Sequence, residues 1–349
     1  MSPTTWQKYG KLLRSLQKAI QGPEALNVET LAAATILYQT GGLLSYEQHE
    51  PSRMQQERGI VTLTRERGLP NPDDPLDAML AFENRVIIET LSLRSPKDTE
   101  FYYTGPWIQT MERVVENVLG EPGRTDKMGA LTAKYNPRVV GWIKNLRQIR
   151  PSAASCNEMA STMKEELYRC LSALEARFPD YWTSLQEEFG DITEIADPEF
   201  FLGKRYHVEN AMTFHCLTDA FMFQLLVPRM IAVLQRTYKE PPDIRLESRY
   251  RQICVRYWMF IPFLKTQDPI KLNAMPALFA LTLEAATSEE ISHIIDAVQY
   301  IDGFRHKLGH TKEQVAKSLI GAAKIVLMFE DEMEKELLQQ CSATLSGDI

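Results

Sequence analysis

No two cysteines in this chain lie close together. Cys156, Cys170, Cys216, Cys254 and Cys341 are dispersed and odd in number. Such a set builds no disulfide framework and contains no C-x-x-C pair. It reads as small buried hydrophobes in a reducing compartment. No Asn-x-Ser/Thr acceptor occurs. Basic charge is also in short supply: 39 Lys and Arg stand against 46 Asp and Glu, for a net charge of -7. A protein that grips nucleic acid by itself draws most of its affinity from neutralising phosphates, so direct DNA binding is not expected. The nearest approach to a basic stripe is Arg245, Arg249, Arg251 and Arg256. Asp243, Glu247 and apolar neighbours dilute it, and it reads as the solvated face of a helix. Long hydrophobic runs are missing as well. The most apolar stretch, 220–234, contains Gln224, Pro228 and Arg229. It is too short and interrupted to span a bilayer and reads as a buried central helix kinked at Pro228. The N-terminal segment lacks the apolar core of a secretory leader, and no membrane partner is expected.

Catalytic signatures are equally scarce. No Walker loop, GxGxxG loop or Gly-x-Ser-x-Gly elbow occurs. Gly120 to Gly123, followed by Arg124-Thr125, lacks the Walker spacing and reads as a turn. His306 and His310 have the spacing that places two imidazoles on one helical face. Gly309 lies between them, however, the HExxH glutamate is missing, and two ligands are half a site. His215 beside Cys216 reads as a core histidine rather than a Cys–His dyad. The expectation is therefore of no catalytic, cofactor-binding or metal-ligating residue, no cofactor, and no enzyme.

What the chain does have is helical periodicity. It is 44% hydrophobic and 24% charged, ordinary globular values. Arg53 to Trp107 reads as two amphipathic helices around a proline-rich turn. Met54, Ile60, Val61 and Leu63 form the apolar side of the first, with Gly59 as a point of close approach. Arg67-Gly68 ends that helix. Leu69 to Pro75 cannot be helix interior. Leu76, Met79, Leu80, Ile87 and Leu91 then recur at helical spacing. Trp6 to Ile20 reads as a basic amphipathic helix whose apolar side docks on the rest of the domain. A helix is expected from 131 to 149 with an interruption at Asn136-Pro137, and another from 159 to 178 stopped by Pro179-Asp180. Thr287-x-x-Glu290 and Thr311-x-x-Gln314 read as capping boxes that start two late helices. No stretch shows convincing strand alternation. The fold class expected is all-α, one irregular helical domain of about a dozen helices over 1–349, with 185–204 an internal linker and 341–349 a frayed tail.

Three segments carry a resemblance. Gly59, Arg67-Gly68, the proline loop, the long apolar helix ending near Arg94 and Trp107-Ile108 form the first. Tyr206-His207-Val208-Glu209-Asn210-Ala211 before a long apolar helix forms the second, and Ile253-Cys254 the third. Together they resemble the C-terminal regulatory domain of fungal zinc binuclear-cluster transcription factors, the fungal-specific transcription factor domain. Members usually carry a histidine three residues before the glycine; here that position is Gln56. The family's six-cysteine zinc cluster and its basic DNA-reading segment have no counterpart in this sequence. The resemblance implies a regulator of transcription, for instance of a metabolic gene cluster, in the nucleus or otherwise the cytoplasm. It would act through a DNA-binding transcription factor or coactivator, as a homodimer or heterodimer. The alternative is a helical small-molecule-binding protein or enzyme on the same scaffold.

Overall fold

The structure is a computed structural model that describes residues 3–44, 50–119, 126–149, 154–267, 275–301, 311–327, 335 and 338–339. It is predominantly all-α: 79% helical, with 13 helices and one small two-stranded sheet among the described residues. The chain divides into two compact units, one of residues 1–126 and 136–140, the other of residues 127–135 and 141–349. The segment 341–349, expected to fray, lies outside the described residues.

The first unit holds α1 (Pro3–Ile20), α2 (Val28–Leu44), α3 (Glu50–Arg67), α4 (Pro75–Arg94), a 3-10 segment (Pro96–Tyr103) and α5 (Gly105–Leu119). Gly68 ends α3 with a φ of 85°, the left-handed conformation that a helix-terminating glycine adopts without strain. Arg67 does not serve its own helix end. Its guanidinium pairs with Asp77 at 3.0 Å and donates to the Leu26 carbonyl at 2.9 Å. Asp74 caps α4 by accepting from the N–H groups of Leu76 and Asp77, and Pro75 takes the first helical position, where no N–H is needed. The proline-rich loop is thus a helix start built from sequence-local parts.

Packing follows the apolar period with three departures. Ile60, Val61 and Leu63 of α3 and Leu80, Ile87 and Leu91 of α4 are buried as expected. Leu76 and Met79 are each 46% exposed, because the inward face of α4 begins at Ala78. Nothing approaches within 4 Å of a Cβ placed on Gly59, so that glycine is no contact point. On α1, Leu16 packs against the α2–α3–α4 cluster while Leu12, Leu13 and Ile20 stay exposed, so the helix docks by one edge only.

Helix α6 (Asp126–Gln148) is continuous through Asn136-Pro137, where an interruption was expected, and buries Trp142, Ile143 and Leu146. In the second unit, α7 (Ala154–Phe189) likewise runs through Pro179 rather than stopping there. The reason is packing. Leu167, Leu171, Leu174, Phe178, Tyr181 and Leu185 are buried at alternating four- and three-residue steps, so the seam continues past the proline. That seam lies along α8 (Ala211–Thr237), where the rings of Phe178 and Phe221 meet at 6.1 Å and the Tyr181 hydroxyl donates to the Cys216 carbonyl at 2.7 Å. The window Cys216–Thr237 is apolar enough to cross a membrane by composition, yet 82% of its hydropathic core is buried in the protein.

Residues 185–204 are not a linker. They hold the end of α7, then β1 (Ile192–Ala196) and the turn into β2 (Lys204–Val208). The strands pair antiparallel, Ile192 opposite Val208 and Ala196 opposite Lys204. Gly190, at a φ of 112°, makes the bend out of α7; a Cβ there would also sit 3.1 Å from Glu209 Oε2. Tyr206 and Val208 point inward, and the Tyr206 N–H donates to the Met259 carbonyl at 3.0 Å. The hairpin is thereby tied to the end of α9 (Ile244–Trp258), which is followed by α10 (Ile261–Leu264), α11 (Met275–Ala280), a 3-10 turn (Leu283–Ala285), α12 (Ser288–Ile301) and α13 (Lys312–Leu327).

Both capping boxes form as the sequence pattern requires. Thr287 N–H donates to Glu290 at 2.8 Å and Glu290 N–H to the Thr287 hydroxyl at 3.3 Å; Thr311 and Gln314 repeat this at 2.8 and 3.2 Å. Burial pushes the Glu290 carboxyl up, but hydrogen bonds from Arg251 and Thr287 hold it below the usual carboxylate range. Replacing Thr287 by alanine is expected to cost about 1 kcal/mol in chemical denaturation, the typical loss for an N-cap. Serine at that position should restore most of it.

Candidate functional site

A cleft of about 730 Å³ lies in the second unit between α7, the hairpin and α9. Its floor is aromatic. Trp182 meets Tyr206 at 5.7 Å and Phe260 at 6.4 Å, and Tyr206 meets Phe260 at 4.7 Å. Phe178 and Met259 extend this surface, and Glu194, Lys204, Arg251 and Arg256 edge it. The hairpin supplies one wall because Lys204, Tyr206 and Glu194, the cross-strand partner of Tyr206, share one face of the ladder, with Tyr206 buried and the two charged residues exposed.

Most charge around the cleft is locally balanced. Lys204 pairs with Glu194 at 2.8 Å. Arg251 pairs with Glu290, donates to the Ala285 carbonyl at 2.7 Å and lies 4.8 Å over the Trp258 ring. Arg249 pairs with Glu175. Arg256 makes no ion pair among the described residues, so the site carries one unbalanced positive charge. Burial raises the Tyr206 phenol above its ordinary value, against the pull of Arg256, with Glu194 adding to the rise. Tyr206 therefore stays a neutral hydrogen-bonding group and no base. Burial also raises the Glu175 carboxyl, opposed by Arg249.

The arginines of α9 keep a solvated face at Arg245, Arg249 and Arg256, which are exposed, while Arg251 is half-buried. Arg249 and Arg251 are paired, and Arg249, Arg251 and Arg256 all line cleft or cavity walls. A sequence signal for this existed. Arg249, Gln252 and Arg256 recur at i, i+3 and i+7, a single helical stripe opposite the buried Tyr250, Cys254, Tyr257 and Trp258. The aromatic floor had no such signal, since it joins Phe178 and Trp182 of α7 to Tyr206 of β2, with the buried Phe260 packed beneath.

A second charged cluster is buried rather than open. Arg229, 4% exposed, pairs with Glu284, reaches Glu247 at 3.1 Å and lies 4.7 Å over the Tyr250 ring; Arg236 approaches Glu284 at 3.8 Å. Beside it, burial pushes the Cys254 thiol up to about 12, which keeps it an unreactive thiol. Cys170 is buried and Cys216 half-buried. His293 stacks on Phe201 at 4.7 Å and is structural. His306, His310, the side chains of His215, Cys156 and Cys341, and the Gly120–Gly123 turn lie outside the described residues. Among the described residues no group of three or more His, Cys, Asp or Glu is arranged to hold a metal ion.

Nothing in the cleft pairs a nucleophile with a base or sets two carboxylates against each other. The arrangement can hold an apolar or aromatic group on the floor and a carboxylate on Arg256. No protein-family model, curated protein or solved structure matches this chain.

Proposed function

We propose that this protein is a transcription regulator that acts through protein partners, and that the α7–hairpin–α9 cleft is where a partner segment docks. The observation that carries the proposal is the make-up of that cleft: a broad aromatic floor, one unbalanced cation and no acid–base pair. This suits binding rather than turnover. The occupant it fits is a short segment with an aromatic or aliphatic anchor for Trp182 and Tyr206, and a carboxylate for Arg256. The link to transcription comes from the resemblance of the Arg53–Trp107, Tyr206–Ala211 and Ile253-Cys254 segments to the fungal regulatory domain. The dispersed cysteines form no zinc cluster within these residues, which favours a reading in which this domain meets its DNA reader in trans or competes for it.

The experiment has two readouts. Deletion of the gene followed by transcript profiling should change a set of transcripts. Recovery of tagged protein from nuclear extract should yield a DNA-binding factor, at least tenfold less of it with Trp182→Ala/Arg256→Glu. The purified chain alone should give no sequence-specific gel shift at physiological salt. Unchanged transcripts together with no recovered factor overturn the proposal.

A further inference from the structure

Adjoining the outer cleft is a smaller pocket of about 160 Å³, which shares Phe178, Pro179, Gln252 and Arg256 with it. It sits where the α7–α8 seam is broken. Along α8 the buried residues Phe214, Leu217 and Phe221 set a three- and four-residue period whose next positions are 224 and 228. The period calls for apolar residues there; Pro228 is apolar and buried, but position 224 holds Gln224. Gln224 is 4% exposed, and its Oε1 has no hydrogen-bond partner among the described residues. A buried amide oxygen left in that state destabilises the free protein, so its presence calls for a donor from elsewhere.

The two prolines add to the same bias. Pro179 and Pro228 both line the cavity, and so do the residues four positions before them, Glu175 and Gln224. Each proline lacks the N–H that would satisfy the preceding carbonyl in a regular helix. The groups without their usual partners are acceptors. On the cationic side, Arg249 is engaged by Glu175, while Arg256 makes no ion pair among the described residues. The cavity therefore offers an acceptor for a hydroxyl or amino donor and a guanidinium for a carboxylate. Its volume is close to that of an engineered cavity known to hold benzene, about 150 Å³.

We propose that this cavity binds a small monocarboxylate of about benzene size bearing a hydroxyl or amino group, the donor on Gln224 Oε1 and the carboxylate on Arg256. Because Arg256 also edges the outer cleft, the ligand takes the guanidinium that a docked segment needs, and so opposes docking. This last step rests on the docking proposal; the binding step does not.

Calorimetry and thermal melting on the purified chain, with meta- and para-hydroxybenzoate as probes, test it. At least one hydroxybenzoate should bind and raise the melting temperature. Benzoate, lacking the donor, and the corresponding phenol, lacking the carboxylate, should each bind at least tenfold more weakly. Gln224→Leu removes the orphan oxygen at nearly constant shape. It should fold at least as stably as the wild type and erase the preference for hydroxybenzoate over benzoate; Gln224→Met repeats the test should leucine disturb the seam. Arg256→Ala should erase the preference over phenol. No binding of either hydroxybenzoate at millimolar concentration, or an unchanged preference in the Gln224 variants, overturns the site. If the probe binds and yet leaves partner recovery unchanged, the shared-arginine step falls while the cavity stands.

Discussion

Replacing Arg229 by leucine, or Glu284 by alanine, is expected to lower stability by about 3–5 kcal/mol, the cost of leaving one partner of a buried ion pair alone. Arg229 is 4% exposed, and the side chain of Glu284 is 6% exposed. In Arg229→Leu the Glu284 carboxylate keeps, among the described residues, only Arg236, at 3.8 Å and partly in solvent. In Glu284→Ala the guanidinium keeps Glu247 at 3.1 Å, a partner 43% exposed and therefore weaker. The loss comes from the orphaned charge and not from the attraction removed, so the double replacement Arg229→Met/Glu284→Leu should recover most of it. Urea denaturation followed by tryptophan fluorescence measures all three. Single replacements that each cost under about 1 kcal/mol would place the pair in the class of solvated surface bridges and refute the burial on which the expectation depends.

That pair also shows where the sequence is silent. Arg229 reads as an interruption of an apolar run, which correctly argues against a membrane span. The partners Glu247 and Glu284 lie on α9 and the later 3-10 turn, and no local spacing connects them to it. Local chemistry was legible wherever a few consecutive residues decide the outcome: Gly68 after Arg67 and the two Thr-x-x-Glu/Gln boxes form as written. The all-α class followed for the same reason. Pro179 and Asn136-Pro137 read as stops because a proline costs a helix about 3 kcal/mol locally. The seam from Leu167 to Leu185 outweighs that cost through burial, which only the partner helix reveals.

The hairpin was missed on similar grounds. β1, with the sequence ITEIA, spaces its isoleucines three apart, and only β2 alternates, with Tyr206 and Val208 inward. Two five-residue strands hold because the Tyr206 N–H finds the Met259 carbonyl and its ring finds Phe260. An isolated hairpin of that length would be marginal. The candidate cleft inherits the same illegibility: its floor is assembled from α7 and β2 over the buried Phe260. Only the Arg249–Gln252–Arg256 stripe could have been read from one segment.

Ile87→Asp should be the most damaging single change in the first unit, with a loss of more than about 4 kcal/mol. Ile87 is 6% exposed and belongs to a cluster with Leu31, Ala34, Ile60 and Leu63 drawn from α2 and α3. None of those side chains can neutralise a carboxylate, so the charge enters the interior unpaired or drives the helices apart. Two controls on α4 separate this from a general intolerance of the helix. Ile87→Val removes one methyl group and should cost about 0.5–1.5 kcal/mol. Met79→Asp adds the same charge at a position 46% exposed and should stay within about 0.5 kcal/mol of the wild type. Thermal melting and hydrogen exchange of the α3 and α4 amides report the three effects directly. An unchanged melt for Ile87→Asp would mean that this face of α4 is open to solvent. Equal losses for Ile87→Asp and Met79→Asp would mean that the inward face is not set by burial at all.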